Sequence, residues 1–125
     1  MSFIVLHAYL KLIHFDFYLA RGNFAALHEH VRKYPVQTRS LEKRWSVRQI
    51  CAAVDIASAL YWKEVLCLQR SAATACLLKN YGVPARMVVG VQHIPFKAHA
   101  WVEVNGSVVN DKKYMGEIYA VLDRC

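Results

Sequence analysis

At 125 residues, of which 56% are hydrophobic, the chain is predicted to form one domain, residues 1–125, with a modest buried core. The hydrophobic content excludes a disordered protein, and no low-complexity tract or internal repeat is visible. The net charge of +7 permits an acidic partner or a nucleic acid, so the position of the basic residues has to decide between them.

The N-terminal stretch, residues 1–21, is apolar enough to be tested for a membrane span. Four polar side chains interrupt it, those of His7, Lys11, His14 and Asp16. They make a bilayer crossing costly, and the stretch lacks the basic start and cleavage site of a signal peptide. We predict a core-packing helix over residues 3–20 and no membrane span. A docking surface for a partner or a lipid interface is the alternative.

A second helix is predicted over residues 23–33, and residues 34–45 are predicted to form a loop. Basic side chains concentrate from Arg32 to Arg48, where six of them oppose the single Glu42. No aromatic RNA-binding motif, helix-turn-helix signature or zinc knuckle accompanies them. We therefore interpret this segment as a solvated linker or a surface for an acidic peptide, with no nucleic-acid partner.

Two further helices follow. Ser46 and Gln49 have the spacing of a capping box, and apolar residues then recur at helical spacing as far as Tyr61. After a short break, a helix is predicted to begin at Cys67. It ends near Gly82, which suits the left-handed position after a helix, and a proline follows.

Beyond this helix the hydrophobic period changes from 3.6 to two, which predicts four short strands. They are residues 85–92, 97–104, 107–111 and 117–124. Their connections are too short for crossovers, so the strands should be antiparallel. The predicted fold class is α+β, with a helical part at 1–45, a core at 46–125, and the Cys67 helix packed on one face of the sheet.

Cys67, His99 and Asp111 are the candidate catalytic residues. Cys67 opens a helix, where unpaired amides and the helix dipole favour a thiolate. His99 lies in the strand AHAWVEV and Asp111 closes SVVND. A thiol facing an imidazole that a carboxylate orients is the arrangement of cysteine acyl-transfer enzymes. The alternatives are a structural cysteine, a histidine that serves only the fold, and an aspartate of a turn.

The remaining cysteines indicate no disulfide framework. Cys51 and Cys76 fall inside apolar helical patterns, where a free cysteine behaves as a small hydrophobic residue, and Cys125 is the last residue. This usage predicts a reducing, cytoplasmic environment. No C-x-x-C or H-x-x-x-H pair is present, so a zinc site is not predicted.

Two details decide whether the three residues can meet. His93 is a rival to His99, but it is predicted to lie in a loop before Pro95, where it is harder to hold against a nucleophile. A two-residue turn at Asn105-Gly106 would pair Asp111 with the residue after His99 and turn it away. We therefore predict a three-residue turn with a bulge at Gly106, which places Asp111 opposite His99.

The string from Cys67 to Asp111 resembles the transglutaminase-like cysteine protease superfamily, whose triad comes in the order Cys, His, Asp. More narrowly, CLQRSAATACLLKNYGVPARMVVGV and then AHAWVEVNGSVVND resemble the leader peptidases of lasso-peptide biosynthesis, the protease half of a split maturation protein. This resemblance implies that Cys67 is the nucleophile, His99 the base and Asp111 its orienter. It also implies that Arg70 and Ser71 are structural supports in the first turns of the helix.

The same resemblance implies a bacterial cysteine peptidase that removes the leader of a lasso-peptide precursor without a cofactor. A small PqqD-like protein would bind the leader and present it, and a separate ATP-dependent macrocyclase would take the freed core. No phosphate-binding glycine-rich loop is present in the chain itself. The N-terminal helix and residues 32–48 are the candidate docking surfaces.

Three other interpretations stay open on the sequence. The triad would equally serve acyl transfer to an amine, as in true transglutaminases. A peptide-binding domain could keep the fold without activity, although Cys67, His99 and Asp111 are all present. A basic nucleic-acid binder is the third alternative.

Overall fold

A computed structural model describes residues 2–37, 45–93 and 95–125 of the chain. The helices are α1 (Ser2–Ala20), α2 (Phe24–Lys33), α3 (Val47–Leu60), α4 (Cys67–Asn80) and the short α5 (Met115–Ile118). The strands are β1 (Ala85–His93), β2 (Phe96–Val104), β3 (Ser107–Val108) and β4 (Ala120–Arg124). The predicted α+β class, with helices before a small antiparallel sheet, is confirmed.

Local sequence signals explain where the helices begin and end. The Ser46 hydroxyl accepts from the Gln49 amide, and the Gln49 side chain accepts from the Ser46 amide, so the predicted capping box is present. The Asn23 side chain caps α2 by accepting from the Ala26 amide. After α4, Gly82 has a φ of +83°, the left-handed conformation predicted for it.

Helix α4 is central to the fold. Ten of its residues are buried, and it contacts α1, α3 and the strands β1 and β2. The sheet has the order β3-β2-β1-β4, and one face lies on α4, as predicted. The larger hydrophobic core is formed by residues of α1 to α4 together with Met87 and Val102 of the sheet. The boundary between residues 45 and 46 stays a prediction, and residues 38–44 of the basic segment lie outside the described residues.

The second half of the sheet differs from the prediction. Strand β3 ends at Val108 and does not continue to Asp111. Residues 117–118 belong to α5, so β4 begins at Ala120. The cause is packing on the second face of the sheet, where Met115 is buried in a small cluster with Val88 and Trp101. The hydrophobic period of the sequence could not predict this contact, because it joins residues that are far apart in the chain.

Helix α1 is apolar on two sides. Its inner side is fully buried among α3 and α4, through Ile4, Ala8, Leu12 and Phe15. The window Phe3–Ala20, with a mean hydropathy of 1.3, is long and apolar enough to cross a membrane, and 22% of it is buried. Length and composition alone are weak evidence, since core helices meet the same criterion, and the absence of a span stays a prediction.

Candidate active site

Cys67 is the first residue of α4. The preceding residue, Leu66, has extended backbone angles (φ −75°, ψ 153°) and supplies no side-chain cap. The first-turn amides therefore point outward without a side-chain acceptor, beside the positive end of the helix dipole. An oxyanion of a substrate at this position would be favoured by both features.

The four cysteines differ in exposure. The Cys67 side chain is half-buried, whereas Cys51, Cys76 and Cys125 are buried. Burial raises the pKa of Cys51 to about 11 and that of Cys76 to about 12, so both stay thiols at neutral pH. Burial also raises the pKa of Cys125. Cys67 is thus the cysteine whose sulfur a substrate can reach.

His99 and Asp111 form a close pair. The distance from His99 Nε2 to Asp111 Oδ2 is 2.6 Å, and both side chains are largely shielded from solvent. Because a carboxylate only accepts, the imidazole donates its Nε2–H, which leaves Nδ1 as the basic nitrogen. Burial alone would raise the pKa of Asp111, but the bonds from His99 and the Lys112 amide, with the charges of His99 and Arg70, hold this pKa below its ordinary value.

The predicted bulge at Gly106 is wrong, although the contact between Asp111 and His99 that it was meant to explain is present. Val104 pairs with Ser107, so Asn105 and Gly106 form a two-residue turn with φ values of +52° and +79°. Such a turn with two positive φ values is the ordinary hairpin for an Asn-Gly sequence. Asp111 nevertheless reaches His99 because β3 ends at Val108 and the chain leaves the ladder after one further backbone bond, from Val109 to Val102.

Asn110 is the residue at which the chain leaves the ladder. Its Oδ1 accepts from the Val102 amide at 2.7 Å, so a side chain takes over the acceptor role of a backbone carbonyl. Its Nδ2 donates to the Ser71 hydroxyl of α4 at 3.4 Å. Asn110 therefore joins β2, the segment after β3 and the second turn of α4, and the next residue is Asp111. An Asn-Asp pair at a strand end was the available sequence signal.

We expect Asn110→Ala to weaken the contact between Asp111 and His99, because the segment that carries the carboxylate would lose its bonds to Val102 and Ser71. Proton NMR gives a readout that does not need turnover, namely the far-downfield signal of an imidazole N–H bound to a carboxylate. This signal should weaken in Asn110→Ala and persist in Ser107→Ala, a change on the same hairpin. An unchanged signal in Asn110→Ala would refute the positioning role.

Two aromatic rings stack on His99. The His99 ring centroid lies 5.5 Å from that of Tyr119 and 6.2 Å from that of Trp101, with interplanar angles of 28° and 27°. Gly90, which pairs with His99 across the sheet, leaves room for both rings. A Cβ at Gly90 would lie 2.8 Å from Trp101 and 2.9 Å from Tyr119. The imidazole is thus held between a carboxylate and two rings.

Gly90→Ala should lower the free energy of unfolding by about 1–3 kcal/mol, because Trp101 and Tyr119 must shift to admit the methyl group. Urea denaturation followed by circular dichroism measures the change. Gly116→Ala is the matched control, since a Cβ there meets no atom within 4 Å. Equal stability of the two variants would show that the rings adapt without cost.

Arg70 connects the helix to the pair. Its guanidinium lies 3.9 Å from Asp111 and 3.5 Å from Asp55 of α3. Residues three and four apart on a helix share a face, so Cys67, Arg70 and Ser71 line the side of α4 that meets the 110–111 segment. The structure thus brings His99 and Asp111 together beside the first turns of α4. Among the described residues, no hydrogen bond joins the Cys67 thiol to His99.

Three residues near these in sequence lie elsewhere. His93, the rival base, ends β1 with an exposed side chain, three residues beyond the partner of His99. The Tyr61 hydroxyl donates to Asp16, and the Gln69 amide donates to the Leu12 carbonyl. Both of these donors are therefore directed at α1.

One further group of potential metal ligands lies between α2 and the C-terminal residues. The ligand atoms of His28, Asp123 and Cys125 lie within 4.8 Å of one another, a set that local spacing does not reveal. Their present partners are within the protein. Arg32 donates to Asp123 at 2.9 Å, and the Cys125 thiol donates to the Met87 carbonyl at 3.6 Å. The guanidinium beside Asp123 opposes a cation at this position.

Comparison with known proteins gives two findings. Residues 9–124 match the family model described as the transglutaminase-like superfamily. The Microcin J25-processing protein McjB of Escherichia coli is 39% identical over 83 residues, which are 66% of this chain and 40% of that protein. The chain thus spans less than half the length of this relative. No solved structure matches significantly.

Proposed function

Because the chain belongs to the transglutaminase-like superfamily, we propose that it is a cysteine peptidase that removes the leader from a lasso-peptide precursor. The observation that carries this proposal is the 2.6 Å contact between Asp111 and His99 beside the helix that begins at Cys67. The name of the E. coli relative, a microcin-processing protein, supports the choice of substrate. The triad is the one expected from the sequence.

In the proposed reaction, Nδ1 of His99 takes the proton of the Cys67 thiol, and Asp111 stabilises the imidazolium that forms. The thiolate attacks the carbonyl carbon at the junction of leader and core. The imidazolium then protonates the amine of the core as the carbon–nitrogen bond breaks, leaving the leader as a thioester. Water, deprotonated by His99, cleaves the thioester and restores the thiol.

The oxyanion of each tetrahedral intermediate needs hydrogen-bond donors. We expect the Cys67 amide to supply one, because the first turn of α4 has no side-chain cap and its dipole favours negative charge. Of the three side-chain donors nearest in sequence, Tyr61 and Gln69 are engaged by α1, and the third, Trp62, is exposed.

The proposed setting is the bacterial cytoplasm, with a separate PqqD-like protein that binds the leader and presents it. An ATP-dependent macrocyclase would then act on the freed core. These partners follow from the family resemblance and the proposed reaction, and each can be tested by adding or omitting one protein.

Mass spectrometry of a precursor peptide tests the proposed reaction. A lasso-peptide precursor is incubated with the protein, with and without the leader-binding protein. Two fragments whose masses sum to the precursor plus one water are the expected result. If a supplied amine becomes attached to the precursor and the junction stays uncleaved, the reaction is acyl transfer to an amine instead.

A further inference from the structure

Helix α1 has an apolar surface that no other element packs against among residues 2–37, 45–93 and 95–125. On the side opposite its buried stripe, five large side chains are between 39% and 66% exposed. We call them the outer stripe: Phe3, Leu6, Leu10, Ile13 and Phe17. A helix that is apolar on both sides is ordinarily covered on both, and exposed patches of this kind mark interaction sites.

The spacing of the outer stripe indicates what covers it. Its members follow one another at intervals of three, four, three and four residues, the 3.5-residue repeat of a seam between two packed helices. A helix lying on a membrane has a broad apolar face and a basic polar face opposite to it. In α1 the opposite face is instead packed against α3 and α4. The narrow seam therefore favours a helix over a bilayer.

The charges around the outer stripe indicate the charge of the helix that would bind it. Asp16, the acidic residue of α1, is turned inward, where it contacts Lys63 and Tyr61, both at 2.8 Å. Arg21 lies over the Phe17 ring at 5.5 Å, at the end of the outer stripe. The whole chain carries a net charge of +7, so two copies would repel each other across this surface. An acidic partner would instead be attracted to this surface.

We infer that the outer stripe binds an amphipathic helix of a partner protein, with apolar residues at three- and four-residue intervals and acidic residues at its flanks. A cavity of about 290 Å³ beside Phe17, lined also by His14 and Arg21, receives one side chain of that helix. The choice of the leader-binding protein as this partner rests on the proposed function.

Calorimetry with the leader-binding protein tests the inference directly. Leu10→Glu places a charge at the middle of the outer stripe without touching the buried side of α1, and it should weaken binding at least about 30-fold. Leu122→Glu is the matched control, because Leu122 is 65% exposed on β4 and the change of charge is the same. Its affinity should equal that of the wild type, and circular dichroism confirms that both variants are folded.

Several results would overturn the inference. These are equal binding by wild type and Leu10→Glu, equal weakening by both variants, or no binding by the wild type. Sedimentation of the chain alone detects a dimer that Leu10→Glu dissolves, and phosphatidylglycerol vesicles detect membrane binding that it abolishes. Either outcome, without an effect on the partner, assigns the stripe to that occupant instead. Cleavage of precursor by the wild type is scored separately, so the peptidase proposal can stand when docking fails.

Discussion

Replacement of Cys67 by Ala is expected to abolish the proposed leader removal, with turnover falling by about 10⁶-fold, because no other cysteine is accessible to form the thioester. Cys51, Cys76 and Cys125 are buried, and burial raises the pKa of each thiol, so none can substitute. Mass spectrometry of the precursor over time measures the rate.

Cys51→Ala is the control for this experiment. It removes a thiol from α3 that the reaction does not use, and turnover should stay within a few-fold of the wild type. Cleavage that persists in Cys67→Ala at the wild-type rate would refute Cys67 as the nucleophile, and absence of cleavage by the wild type as well would leave a peptide-binding domain as the better interpretation.

Asp111→Asn should lower turnover by about 10⁴-fold while the affinity for the precursor stays the same. The amide keeps the shape of the carboxylate, but it cannot stabilise an imidazolium and it permits the wrong tautomer of His99. The wild-type carboxylate stays ionised into mild acid, since the bonds from His99 and Lys112 hold the pKa of Asp111 low against the effect of burial. Steady-state kinetics separates turnover from affinity.

The matched control is Asp55→Asn, which changes the other carboxylate beside Arg70. If Asp111 acts through His99, Asp55→Asn should leave turnover nearly unchanged. If both variants lose the same activity, the role of Asp111 is to hold Arg70 and the helix, and the triad assignment fails.

The elements of this fold that depend on local chemistry could be predicted from the sequence. The Ser46–Gln49 box, the left-handed Gly82 and the alternation around His99 each depend on neighbours within a few residues. They locate the start of α3 and the end of the Cys67 helix, and they place His99 on a strand. The local rule for Asn105-Gly106 also favours the tight turn, and the prediction departed from it only by assuming that pairing continued to Asp111.

What could not be predicted depends on contacts between distant residues. Asn110 contacts Ser71, 39 residues away, and that contact belongs to the segment that turns Asp111 toward His99. The stacking of Tyr119 on His99 and the burial of Met115 likewise join segments that are separate in the chain. No hydrophobic period records such contacts, so the length of β3 and the presence of α5 were missed.

The most direct measurement of the central claim is the mass of the protein after acid quenching during a single turnover of precursor. We predict an added mass equal to the leader less one water, located on the peptide that contains Cys67 and absent from Cys67→Ala. A leader attached to another residue, or cleavage in which no covalent intermediate forms while Cys67 is intact, would contradict the account.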